Sequence, residues 1–146
     1  MKDILLFILV ILSGKLVFAC TCIQLENYSL KSEFKDRDLI FLGTVTEIDT
    51  ITVKKSNFSI DEIWYTFKLK ELYKGKVQEK TIKIKSGAVG ADDCKFTFLL
   101  NNDYVVYANY LKTKERKKKK KALNTNICTN TGEATETKIF EARNNK

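Results

Sequence analysis

The chain has 146 residues, a formal net charge of +8 and 44% hydrophobic residues, the size and composition of one domain with a packed core. It contains no His, which excludes a histidine general base, Ser-His or Cys-His pairs and imidazole metal ligands. No Gly-rich phosphate loop is present and no acidic pair stands out from the solvated background, so the expectation is a binding protein and not an enzyme.

Lys2 gives a positive start, and Ile4 to Leu12 is an unbroken apolar run that Lys15 prevents from extending. A helix needs about 20 apolar residues to span a bilayer core, so this run is too short for a membrane anchor. Val17 and Ala19 suit a signal-peptidase cut before Cys20. Residues 1–19 are therefore predicted to be a signal peptide, and 20–146 a secreted, still basic, single domain.

Leu30 and Phe34, spaced i, i+4 among charges, predict a short one-sided helix within Asn27 to Asp38. Asp38 to Ile48 reads as a strand whose apolar first half is buried on both faces, with a bend or bulge at Gly43. A polar loop is expected over 49–62. From Ile63 to Tyr73 the chain alternates, Ile63, Tyr65, Phe67 and Leu69 on one face and Thr66, Lys68 and Lys70 on the other, which predicts a half-buried strand. Lys74-Gly75 is a turn, and Ile82 and Ile84 mark another strand. Gly87 to Asp93 is a loop, Phe96 and Phe98 alternate as a short strand, and Asn101-Asn102-Asp103 turns into an apolar strand over Tyr104 to Leu111. Lys112 to Lys121 is a charge run expected as an exposed loop. A last short strand follows within Ala122 to Cys128, and a weak helix over 133–144. Five or six short strands with few helical segments predict a small barrel or sandwich.

The cysteines are Cys20, Cys22, Cys94 and Cys128. An even number in an exported chain argues for two disulfides, with three pairings open. A four-thiolate zinc site is the alternative, disfavoured because only one pair is close and a single residue separates it. A bond between Cys20 and Cys22 would be strained, so each is expected to reach a distant partner, stabilising the fold by roughly 4–5 kcal/mol per loop.

The order of these features carries a family resemblance. Cys20-Thr21-Cys22 opens the exported domain, a helix leads into "DLIFLGTVTEI", and "YTFKLKELYKG" follows; a Cys precedes "FTFLLNNDYVVYA", and "NICTNTGEA" closes the pattern. This arrangement resembles the tissue inhibitors of metalloproteinases in a minimal one-domain form, within the netrin-type modules, over nearly all of 20–140. The resemblance implies a mainly β fold, a five-stranded OB-fold-like closed barrel with one or two flanking helices and two disulfides, Cys20–Cys94 and Cys22–Cys128. It also implies a secreted metalloendopeptidase inhibitor. Catalytic zinc keeps one open coordination position, which the α-amine and carbonyl of a free N-terminal Cys20 would fill. Thr21 would enter the adjacent specificity pocket, and Cys22 and Ile23 would follow the substrate groove. The zinc belongs to the target protease, and no cofactor is expected for this chain. Asp92 and Asp93 lie where the family places a second contact loop, and their charges would face the protease's catalytic glutamate. The chain has no Pro after the Cys-x-Cys, where one is usual, and neither the third disulfide nor the second domain of many animal members is expected for it.

Other features have their own readings. Lys117, Lys118, Lys119, Lys120 and Lys121 could bind polyanions such as sulfated cell-surface glycans, against the plainer reading of a solvated loop. That makes a netrin-type adhesion or polyanion-binding module the first alternative. Base stacking on Trp64, Tyr65 and Phe67 is disfavoured, because export argues against nucleic acid and Tyr65 and Phe67 suit the core. Gly87 to Asp93 offers too few oxygens for calcium. Asn27-Tyr28-Ser29 and Asn57-Phe58-Ser59 match the glycosylation pattern. Leu16 to Cys20 partly resembles a lipoprotein signal; lipid on Cys20 would anchor the chain to a membrane and exclude the zinc chelate.

Overall fold

The computed structural model describes residues 22, 29–55, 58–86, 94–111 and 122–146. In chain order they form helix α1 (Leu30–Asp36), strands β1 (Leu39–Lys55), β2 (Phe58–Lys74), β3 (Thr81–Ser86), β4 (Asp103–Tyr110), β5 (Leu123–Thr125) and β6 (Gly132–Glu133), and helix α2 (Glu136–Asn144). The fold is mainly β, as expected.

Five strands hydrogen-bond in a closed ring, β1-β2-β3-β5-β4 and back to β1, and β6 pairs with β4. Every pairing is antiparallel except β3 with β5. Short β5 completes the ring by pairing Ile84 with Leu123 on one side and Tyr110 with Leu123 on the other. Inside lie Leu39, Phe41, Val45, Tyr65, Phe67, Ile82, Ile84, Phe98, Tyr104, Val106, Ala108 and Leu123. Outside, Ile40, Tyr73, Val105 and Tyr107 pack with Phe34 of α1 and Ala142 of α2 in a second core. These two layers explain why Leu39, Ile40 and Phe41 are all fully buried: odd residues face the ring interior and Ile40 faces the helices.

Gly43 sits at a register shift of β1 against β2, as expected of a bulge; a Cβ there would meet the Lys68 carbonyl and the Phe41 ring, both at 3.0 Å. Helix α1 is capped by the Ser29 hydroxyl, which accepts from the Ser32 amide at 3.2 Å. At its other end Lys74 Nζ donates to the carbonyls of Phe34 and Lys35 at 2.7 and 2.6 Å, satisfying acceptors that a helix leaves open. Phe34 is buried, but Leu30, expected on the same buried face, is 38% exposed. Helix α2 is capped by Thr135, buries Ala142 and is tied to β2 by Arg143 and Glu71 at 2.7 Å.

Two expectations are corrected. The polar loop over 49–62 is for the most part strand: β1 continues to Lys55 and β2 begins at Phe58, pairing as far as Lys55 with Phe58. Beyond the ring this ribbon has neither face in a core, and the brief alternation of Ile51 and Val53 with Thr50 and Thr52 stops at Lys54, while Thr50, Ile51, Thr52, Val53 and Ile60 suit extended backbone. The segment holding Phe96 and Phe98 is irregular, not a strand. Phe98 plugs the ring interior, 5.0 Å from the Phe67 ring, 4.9 Å from Tyr104 and 4.8 Å from Tyr65. Its backbone finds other partners: the Ser86 hydroxyl donates to the Phe96 carbonyl, and the Leu99 amide donates to the Tyr104 hydroxyl at 3.0 Å. Of the two expected disulfides, one is described in full. Cys22–Cys128 is formed; Cys20, the other half of the expected bond to Cys94, lies outside the described residues.

Candidate functional site

Cys22 is joined to Cys128 with a Cα–Cα distance of 5.3 Å across 106 residues of chain. Cys128 stands on the turn between β5 and β6, and that turn is unusually well tied. The Asn126 side chain accepts from the Cys128 amide at 2.9 Å, and the Thr129 hydroxyl donates to the Asn126 carbonyl at 2.9 Å. Beneath it, the Thr125 hydroxyl donates to the Tyr107 carbonyl at 2.9 Å, the Thr131 hydroxyl accepts from the Tyr107 amide at 2.9 Å, and the two hydroxyls are 2.8 Å apart. The threonines thereby continue the bonding of β4 where β5 has ended.

Both helices also grip this turn. The Glu33 carboxylate of α1, 7% exposed, accepts from the Asn130 amide at 2.7 Å and from Arg37 at 3.2 Å. Lys138 of α2 donates to the Asn130 carbonyl and side-chain oxygen, both at 2.8 Å. Burial lowers the Lys138 ammonium below the ordinary lysine range, with the Glu141 and Glu33 charges opposing the shift. Burial likewise raises the Tyr107 hydroxyl. The seat of Cys128 is therefore fixed to α1, α2 and β4 at once.

Cys94 lies beside it: its carbonyl accepts from the Ile127 amide at 3.2 Å. The two cysteines expected to receive the Cys-x-Cys thus occupy one end of the ring. Of the other expected site residues, Cys20, Thr21, Ile23, Asp92, Asp93 and Lys117 to Lys121 lie outside the described residues, as do 1–19 and the Gly87 to Asp93 loop. Among the described residues no group of three or more His, Cys, Asp or Glu is placed to hold a metal, and no helix is long and apolar enough to cross a membrane. Tyr65 and Phe67 are buried in the core, as expected, at 3% and 0% exposure.

Three lysines on the outer sheet are matched to acids: Lys70 with Asp103 at 2.6 Å, Lys83 with Asp49 at 3.2 Å and Lys85 with Glu62. Sequence reading missed the Glu33, Asn130 and Lys138 cluster. Its one visible sign was the density of Asn and Thr around Cys128, a composition that bonds its own backbone. No protein-family model matches the chain and no curated protein matches it, which leaves the cystine-anchored end of the ring to carry the functional reading.

Proposed function

We propose that the exported chain is an inhibitor of zinc metalloendopeptidases and acts through a free N-terminal Cys20. The observation that carries this reading is the anchoring of Cys22 to a braced turn, directly beside Cys94. A second bond from Cys20 to Cys94 would hold two residues of an extended segment at both of its cysteines. The ring order β1-β2-β3-β5-β4, with β3 and β5 parallel, supports an OB-type barrel as the scaffold.

The chemistry follows from coordination. The α-amine and carbonyl of Cys20 would close a five-membered chelate on the protease zinc and displace the attacking water. An α-amino pKa of roughly 7.7–8.0 supplies neutral amine near physiological pH. Thr21 would fill the neighbouring pocket, with Cys22 and Ile23 along the groove and Asp92 and Asp93 at its rim. A segment already fixed by disulfides loses little freedom on binding, so more of the contact energy appears as affinity.

The test compares protein beginning at Cys20 with protein carrying one added alanine before it, assayed against a panel of zinc endopeptidases. Inhibition confined to the unextended form supports the chelate. Equal inhibition by both forms sinks it.

A second reading, a polyanion-binding or netrin-type adhesion module, is favoured by the charge distribution. The matched lysines of the outer sheet leave residues 112–121, eight basic residues against one acid, as the main source of excess charge. Heparin retention that vanishes on deleting 114–121, without protease inhibition, would select it.

A further inference from the structure

Beyond Val45, β1 leaves the ring. It pairs with β4 only from Leu39 to Thr44, whereas its pairing with β2 continues to Lys55. From Thr46 to Lys55 its second edge therefore meets no strand among the described residues. An open edge of this length presents unpaired N–H and C=O groups and is a template for another strand. It is also studded with exposed apolar side chains: Ile48 is 43% and Ile51 49% exposed. On one face Ile51 and Val53 lie in a row with Ile60 and Trp64 of β2.

The charges along this edge are ordered. Glu47 and Asp49 stand near the ring, and Lys54 and Lys55 at the far end. Lys83 contacts both acids, at 3.9 and 3.2 Å, yet their side chains remain 55% and 37% exposed. Such an edge is complementary to itself when reversed. Two copies laid antiparallel about a twofold axis at Ile51 place Glu47 opposite Lys55 of the second copy, Thr50 opposite Thr52, and Ile51 opposite Ile51. Laid parallel and in register, the same edges would set acid against acid and lysine against lysine, which is unfavourable. Opposed residues in antiparallel strands share a face, so the Ile51 and Val53 row continues from one copy into the next.

We infer that this chain forms a twofold-symmetric dimer by antiparallel pairing of the Thr46–Lys55 edges of two copies, joining their ribbons into one four-stranded sheet. A single strand pair falls at the small end of interfaces, below about 1,200 Å². The dimer is accordingly concentration-dependent, with a Kd on the order of 10–100 µM.

Sedimentation velocity of the full exported chain, from about 1 to 500 µM, spans that range. The wild-type chain is expected to shift from monomer to dimer across it. Glu47→Lys with Asp49→Lys, and separately Lys54→Glu with Lys55→Glu, should each weaken self-association by about tenfold or more. An equimolar mixture of the two variants should dimerise again, because the charges at positions 47 and 55 are then opposite at both ends of the strand pair, whereas Asp49 lies opposite Val53 and Lys54 opposite Ile48. A misfolded variant could not be rescued this way. A wild-type chain monomeric throughout overturns the inference. So does a dimer untouched by both reversals, or a pair of variants that mixing does not restore.

Discussion

Replacing both Cys22 and Cys128 with alanine tests the scaffold and the wedge in one variant, and leaves no unpaired thiol at that bond. The bond closes 106 residues of chain. In the chain-entropy treatment a loop of that length restricts the unfolded state by about 4.7 kcal/mol, less if another crosslink already shortens the path. With a stability of about 5–15 kcal/mol for a domain of this kind, that is a large share but not all of it. The network of Glu33, Asn130, Lys138, Thr125 and Thr131 does not depend on the sulfurs, so the ring is expected to survive. Urea unfolding followed by circular dichroism should show the midpoint falling by about 2–3 M, given a slope near 1.5–2 kcal/mol per M. On the proposed function, the folded variant, assayed below its transition, should lose inhibition through a loosened N-terminal segment. A loss of under about 1 kcal/mol would refute the loop-closure reasoning. Full inhibition by the folded variant would refute the rigid wedge.

Phe98→Ala should cost about 3–5 kcal/mol in chemical denaturation, because the ring interior closes on that side chain from Phe67, Tyr65 and Tyr104. Glu33→Ala should cost about 1–3 kcal/mol in the same measurement, since the Asn130 amide then loses its partner; Glu33→Gln, which keeps an acceptor, should cost less. The Tyr73 hydroxyl is pushed up to about 12, by burial first and then by the charge of Glu71. A raised folded-state pKa contributes stability that is complete below pH 10 and lost as pH rises through about 12, so alkaline unfolding should be shallower in Tyr73→Phe. The Asp103 carboxyl is held low by Lys70 and then Thr44, so its contribution is present above the ordinary carboxylate range and lost as pH falls through its depressed pKa; Asp103→Asn should flatten that acid limb.

How far the fold could be read from the sequence depended on what each segment faced. Ile63, Tyr65, Phe67 and Leu69 alternate because β2 there has one face inside the ring, and the period showed it. Leu39, Ile40 and Phe41 form a run because two cores meet across β1. The ribbon beyond the ring was misread because its apolar alternation is only two residues long, Ile51 and Val53, and polar residues interrupt it on both strands while the pairing continues. Phe96 and Phe98 misled in the opposite sense: alternation is necessary for a half-buried strand, but without a neighbouring strand it describes only which side chains point inward. Of the site, the Cys22–Cys128 bond was anticipated through the family resemblance. The grip of Glu33 and Lys138 on Asn130 was not, because 97 and 8 residues separate those partners and no local period encodes such a contact.

The closure of the ring by a strand of three residues has a kinetic consequence. Leu123–Thr125 closes the ring by pairing with β3 across about 39 residues of chain (Ile84 with Leu123), and β1 meets β4 by a pairing that joins Leu39 to Ala108. Both contacts are distant in sequence, so folding belongs to the slow, milliseconds-to-seconds class of β proteins. Until β5 docks, the nascent sheet is open along β3 and β4, with Ile84 and Tyr110 waiting for Leu123. A chain released before Leu123 is synthesised therefore keeps two sticky margins, and aggregation of such truncated products is the cost of leaving so short a strand to finish the circle.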